Sequence, residues 1–288
     1  MKPHRFHSVP VLMYHHITPS SGMITTSPGN FESQMAALVA NGYTSLTARQ
    51  FAAYMRGESV PEKSVLITFD DGYLDNWVYA HPVLKKHGLN AVMFLVTGWA
   101  QHGEKRPVNG SGQLLPACPS HRECMDMVDA GRASEIAVRW SEVHAMEEAG
   151  TFEIHSHTHT HTRWDLKLDR AGKSEAIARE LQQSRDTLLS ELNKETPHLC
   201  WPQGYFDEDY LQAAANTGFE VLYTTDAYGF NRAGGNSRYI YRFSVKNKPG
   251  AWLMHRISIA RNPYIGPLYN RWKKYRKLRR QAKNNKTS

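Results

Sequence analysis

The chain has 288 residues, 41% of them apolar, and a formal net charge of +8. That length holds one large α/β domain or two modest ones with a sizeable core. No apolar run approaches the roughly 18–20 residues that a membrane-crossing helix needs. The three cysteines, Cys118, Cys124 and Cys200, are too few and too oddly numbered for a disulfide framework, and the Cys118–Cys124 spacing is not a usual zinc spacing. Lys2 and Arg5 precede an apolar stretch at 9–14 that is too short for a signal-peptide core and is cut by His15-His16, so a cytoplasmic location is expected. The charge is uneven. The 62 residues after Asp226 hold 16 of the 35 Lys+Arg and none of the 27 Asp+Glu, which leaves the preceding part acidic, 19 against 27. Such asymmetry implies an anionic partner for the C-terminal region.

In chain order, 9–14 reads as a buried strand. Residues 30–41 carry Phe31, Met35, Leu38 and Val39 at helical spacing and stop at Gly42. Thr47 is a cap for a helix over 48–56. The run 64–69 predicts a strand, 75–87 a helix ending at Gly88, and 91–96 another strand, an order that implies a parallel βαβ unit. Residues 101–137 break the rhythm. They hold a short helix near 124–130 and form either a lid over a site or a mobile insert. Ser141 is expected to cap a helix that Gly150 ends. Strands follow at 152–154, 198–201 and 221–224, with helices at 174–192 and 207–217, and 249–259 also looks helical. Repeated β–α units without internal repeats predict a barrel-like α/β fold, with catalytic residues at the C-terminal ends of strands.

Asp70, Asp71 and Gly72 end the apolar run Val65-Leu66-Ile67-Thr68-Phe69. A second polar cluster is His155-Ser156-His157-Thr158-His159-Thr160-His161. Together they offer carboxylate and imidazole ligands for zinc, or for cobalt, nickel, manganese or ferrous iron, plus a spare carboxylate. In an extended strand His157 and His161 would lie about 13 Å apart and could not share an ion. In a helical turn residues four apart lie about 5–6 Å from each other. A shared metal therefore requires the strand to end near Ser156 and the chain to coil at once, helped by local hydroxyl–backbone bonds from Thr158 and Thr160. The alternatives are a polar, histidine-rich surface loop and an Asp-Asp-Gly turn.

Thr68-Phe69-Asp70-Asp71-Gly72 followed by His157-Thr158-His159-Thr160-His161 resembles the first two motifs of the polysaccharide deacetylases, the NodB-homology group of carbohydrate esterase family 4. Leu12-Met13-Tyr14-His15-His16 and the block 31–71 look most like the poly-N-acetylglucosamine deacetylase branch. The resemblance implies a distorted (β/α)-barrel with fewer than eight complete units, over 1–260, followed by a basic tail at 261–288. It makes Asp71, His157 and His161 the metal ligands and Asp70 the general base, with His159 a pocket-wall or surface residue. The third motif departs from the family. In Cys200-Trp201-Pro202-Gln203-Gly204, Cys200 stands where an arginine usually orients the base, and Gln203 replaces a tyrosine whose backbone N–H faces the oxyanion. Gln203 keeps that backbone role, and the tuning of Asp70 is left without a source. Leu253-Met254-His255 resembles the motif that carries the acid histidine, and Asp226 an acidic residue that orients it. His15, His16, Trp201, Pro202, Gly204 and Asp226 complete the substrate-binding candidates. For His15 and His16 hydrogen bonding within the barrel rim is the alternative, and for Trp201, as for Trp140, core packing is.

The chemistry suits an amide. A divalent metal polarises its carbonyl and acidifies water, and a neighbouring carboxylate takes the proton. The expected activity is hydrolysis of the N-acetyl group of an N-acetylhexosamine in a polysaccharide or lipid-linked glycan precursor. The alternatives are a deacylase or amidase of the same fold acting on an O-acyl or non-sugar substrate, and a catalytically reduced carbohydrate-binding barrel. In the tail, Leu268, Trp272, Tyr275 and Leu278 fall on one helical face amid cations, which suits an anionic membrane surface. Nucleic acid, or a tail folded back on the barrel, is the alternative.

Overall fold

The computed structural model describes residues 8–284, with side chains to 279. The Lys2 and Arg5 end and the last four residues of the basic tail lie outside the described residues. The first strands are β1 (Val11–Tyr14), the short pair β2 (His16–Ile17) and β3 (Thr25–Thr26), β4 (Thr44–Ser45) and β5 (Ser64–Asp71). They continue with β6 (Ala91–Leu95), β7 (Phe152–Ser156), β8 (His198–Cys200), β9 (Val221–Tyr223) and β10 (Phe243–Ser244). One parallel sheet runs β10-β1-β5-β6-β7-β8-β9, with β4 added beside the start of β5. All eight residues of β5 are buried, the signature of a parallel strand covered on both faces.

Alternation along the strands sorts the core. Tyr14, Ile67, Phe69, Met93 and Ile154 point outward and pack under helices. Val11, Leu66, Val92, Phe94, Cys200 and Tyr223 point inward and fill the barrel. Asp70 is two residues beyond Thr68 and four beyond Leu66, so the same period of two sets it on the inner face. The stretch 240–244 bridges the sheet's two ends. Ile240 pairs with Tyr223 of β9, and Phe243 and Ser244 pair with Leu12 and Met13 of β1.

Helices α1 (Pro28–Ala40) and α2 (Ala48–Met55) begin at the side-chain caps Ser27 and Thr47, the latter a capping box with Gln50. The expected helix at 75–87 is a π-turn (Asn76–Ala80) leading into α3 (His81–His87). Within 101–137, α4 (His121–Asp129) starts three residues earlier than expected because Ser120 and Glu123 form a capping box, and α5 (Ala133–Ile136) follows. Arg106 ties that segment to the barrel through the buried carboxylate of Glu142 (2.7 and 2.8 Å) and the Ala137 carbonyl (2.7 Å). Helix α6 (Trp140–Glu148) is capped at Arg139, not at Ser141, whose hydroxyl donates to the Gly103 carbonyl instead. The remaining helices are α7 (Arg170–Leu192), α8 (Glu208–Asn216), α9 (Gly250–Arg261) and α10 (Ile265–Asn284).

Candidate active site

Asp70 and Asp71 close β5, and His157 follows β7 directly. The strand ends at Ser156, and the chain coils at once through Thr158 (φ +68°) and His161 (φ +63°). Ser156 Oγ accepts from Thr158 N (3.0 Å), and Thr158 Oγ1 accepts from His161 N (3.2 Å), so the hydroxyl-supported turn that a shared ion requires is present. Thr160 does not support it locally. Its hydroxyl and backbone N–H go to Glu180, a buried carboxylate on α7 that also accepts from His159 N (2.9 Å). On the other side of the site Asp71 has φ +74° and Gly72 φ +77°. A Cβ at Gly72 would sit 2.3 Å from Leu95 Cδ1, so any side chain there must displace Leu95 at a backbone angle that favours glycine.

This backbone gathers three ligands. His157 Nε2 lies 3.2 Å and His161 Nε2 3.5 Å from Asp71 Oδ1. His157 Nδ1–H donates to the Cys200 carbonyl (2.8 Å), which turns the Nε2 lone pair toward Asp71. Asp71 Oδ1 is buried and makes no hydrogen bond among the described residues. A buried, unpartnered carboxylate oxygen facing two imidazole nitrogens offers a cation three ligands. A tetrahedral ion with bonds of about 2.0–2.2 Å holds its ligand atoms about 3.3–3.6 Å apart, so the spacing and the donor set fit zinc or a similar divalent ion. Burial raises the Asp71 carboxyl pKa, but the imidazoles of His157, His161 and His15 hold it far below the ordinary range. Burial pushes His161 down to about 4, against the pull of Asp71, and so keeps it neutral for ligation.

Asp70 is not a member of this triad. The buried Arg242 grips it with both arms, Nη1 to Oδ1 at 2.6 Å and Nη2 to Oδ2 at 2.8 Å. The arginine is itself fixed by the Thr224 carbonyl at Nε (2.8 Å) and by Thr68 Oγ1 (3.2 Å). Its Nη2 lies 2.9 Å from Cys200 Sγ. Asp70, His157 and Cys200 also converge, but a guanidinium beside two of them leaves no place for a metal there. Burial raises the Asp70 carboxyl pKa, and Arg242 with His15 outweighs it, so the group is ionised and its pKa lies below the usual carboxylate value. The orienting arginine missing from position 200 is therefore supplied from the segment that bridges the sheet's ends.

The sequence pattern of the polysaccharide deacetylases matches residues 57–222, more than half of the chain. The chain belongs to that family. A Bacillus subtilis relative bearing the family's name is 28% identical over 228 residues, 79% of this chain and 68% of that one. The poly-beta-1,6-N-acetyl-D-glucosamine N-deacetylase of Staphylococcus aureus is 26% identical over 228 residues, 77% of this chain and 68% of the relative. Among solved structures, IcaB from Ammonifex degensii shares the fold with a TM-score of 0.68 at 22% identity, covering 88% of this chain and 97% of the other.

Of the other predicted residues, one touches the site directly, and Gln203 and Gly204 lie in the turn after β8. His15 joins the site, with Nε2 3.7 Å from Asp70 Oδ2 and a partly exposed side chain, and burial lowers its pKa more than Asp70 and Asp71 restore it. Gln203, at φ +55°, lies in the short turn after β8, with its exposed side chain accepting from Arg163 Nη1 (3.0 Å). Gly204 is held beside it, since a Cβ there would meet Thr225 Oγ1 at 2.1 Å. The remaining ones make no contact with Asp70 or the triad among the described residues. His255 is on the exposed side of α9, whose Leu253 and Ile257 face the core. Trp201 is fully buried, stacked on Phe206, and Pro202 is buried too, so neither presents a face to a sugar. Asp226 organises its own loop, accepting from Tyr228 N and Tyr239 Oη, and touches neither His15 nor His255. His159 is tied to Thr97 Oγ1 (2.9 Å). His16 is fully buried, held by Asp75 (2.6 Å) and His121 (3.3 Å) and stacked on Tyr73. Asp75 also accepts from Ile17 N, and Asn76 donates to the His15 carbonyl, so this unforeseen pair fixes the backbone that presents His15.

Proposed function

We propose that this deacetylase removes the N-acetyl group from an N-acetylhexosamine unit of a polysaccharide or lipid-linked glycan precursor, with a divalent ion, zinc first, held by Asp71, His157 and His161. The observation that carries the reading is the clamped carboxylate of Asp70 beside that triad: ionised, oriented and not itself a ligand. The substrate class is supported by the name of the Staphylococcus aureus relative.

An ion at the triad supplies a Lewis acid that polarises the acetamide carbonyl and acidifies water. Asp70 accepts the proton of the attacking water, with Arg242 holding the carboxylate in place. The backbone N–H of Gln203 is assigned to the developing oxyanion. His15, whose Nε2 lies 3.7 Å from Asp70 Oδ2, is assigned the proton donated to the departing amine, in place of His255. We place the reaction at the cytoplasmic side of the cell membrane, before the glycan is exported; protease protection in intact and permeabilised cells tests this location.

The test of the reaction is acetate release from N-acetylglucosamine oligomers and from a polyprenyl-linked N-acetylhexosamine. Wild type and Asp70→Asn are compared after stripping and reloading with zinc, cobalt or nickel. Release by reloaded wild type, lost in an Asp70→Asn protein that still binds metal, is expected. Metal binding without release from either substrate would refute the substrate assignment.

A further inference from the structure

Helix α10 is turned inside out. An amphipathic helix on a globular domain normally buries its apolar stripe. Here Gly266 lies against the Phe230 ring, Asn270 is 7% exposed, and Lys277 extends over Tyr228. At 3.6 residues per turn those three positions share one side of the helix, the side that faces the body. Leu268, Trp272, Tyr275 and Leu278 lie on the other side and are 67, 49, 57 and 55% exposed. Arg276 lies over the Trp272 ring (5.0 Å) and Arg279 over Tyr275 (5.7 Å), so cationic side chains run along the stripe with their charges at its margin. No acidic residue follows Asp226 anywhere in the sequence.

We propose that α10 is an interfacial helix that docks the protein on an anionic membrane, with Leu268, Trp272, Tyr275 and Leu278 inserted at the headgroup boundary and the flanking lysines and arginines on the lipid phosphates. Charge complementarity selects this occupant, and the aliphatic members of the stripe favour lipid over nucleic acid, because phosphate contacts make no use of Leu268 or Leu278. The proposal is independent of the deacetylation reading, whose groups lie at the strand ends within the barrel.

The experiment is flotation of the full chain with vesicles of phosphatidylcholine alone or of phosphatidylcholine with phosphatidylglycerol. Wild type is expected to float only with the anionic vesicles and to be released by high salt. Arg271→Gln, Arg276→Gln and Arg279→Gln together are expected to lower partitioning by about a hundredfold, at roughly fivefold per cation. Leu268→Ser, Trp272→Ser and Leu278→Ser together are expected to lower it by roughly tenfold or more per side chain. Unchanged thermal unfolding shows that both variants keep the barrel, and the comparison of vesicle compositions and salt stands without either. Sedimentation without lipid and a gel shift with duplex DNA run alongside. Wild type that stays soluble with anionic vesicles, whether as a monomer, as a dimer joined by the stripe or bound to DNA, overturns the proposal. Flotation of the serine variant equal to wild type also overturns it.

Discussion

Replacing Arg242 with Met leaves Asp70 buried without its counter-charge. The bidentate contact puts the two charge centres about 4 Å apart, and at an effective dielectric near 20 their attraction is about 4 kcal/mol. Its loss disfavours the ionised carboxylate, so the Asp70 pKa rises. The sign follows from the role. A general base works ionised, so activity falls as pH drops through its pKa. In wild type Arg242 keeps that pKa below the usual carboxylate value, and the acid limb lies correspondingly low. In Arg242→Met burial is opposed only by the neighbouring imidazoles, so the limb moves up. Activity falls at mildly acidic pH, where wild type still works, and recovers as the pH rises. The assay is kcat/KM against pH on an N-acetylated oligomer at saturating zinc, with metal content measured at each pH to separate loss of the ion from protonation of the base. Removing one partner of a buried pair also destabilises by about 3–5 kcal/mol. Arg242→Lys, which keeps the charge and loses the fork, is the gentler variant and should show a smaller shift in the same direction. An Arg242→Met enzyme that stays folded and metal-loaded with its acid limb where wild type has it would refute the argument.

Gly72→Ala should lower the urea midpoint by an amount equivalent to about 1–3 kcal/mol, because the new Cβ meets Leu95 at a backbone angle that L-residues avoid; an unchanged midpoint contradicts this. Glu180→Gln removes half of the carboxylate that ties down His159 and Thr160, and chelator competition should show zinc affinity reduced about 10–100-fold. His15→Ala should lower kcat about 10²–10⁴-fold while His255→Ala matches wild type, and the reverse ranking would return the acid role to His255.

Much of the fold was legible because parallel strands buried on both faces are continuous apolar runs, and the runs at 64–69 and 91–96 stand clear of their surroundings. The shared-ligand geometry was legible too, since only a chain that coils after Ser156 brings His157 and His161 to one ion. The cap at Arg139 was not, because position 141 carries the better capping residue by type and its hydroxyl was drawn off by the Gly103 carbonyl, a contact between segments distant in sequence. Glu180 left a faint trace, a carboxylate among Ile177, Leu181 and Leu188 on the buried stripe of α7. On such a stripe a carboxylate needs donors of its own, and the coiling His157–His161 segment supplies them.

Arg242 shows how a motif can be broken while a guanidinium still reaches Asp70. It reaches Asp70 from 172 positions away, on a stretch with only two residues of regular strand. Its single trace in the sequence is one cation inside the run Tyr239-Ile240-Tyr241-Arg242-Phe243. The inward-facing end of β5 lies at the middle of a curled sheet, so a guanidinium can approach it from more than one strand. The small Cys200 side chain leaves room for an arginine arriving from the bridging segment, and its sulfur sits where that arginine passes. What Asp70 requires in its proposed role as base is a buried positive charge at a fixed angle, and the barrel does not specify which strand must carry it. A Cys200→Arg, Arg242→Ser double variant, with the guanidinium moved to the family's usual position, should therefore recover part of the low acid limb that Arg242→Ser alone loses. If it recovers none, the approach from the bridging segment is itself part of how Asp70 is set.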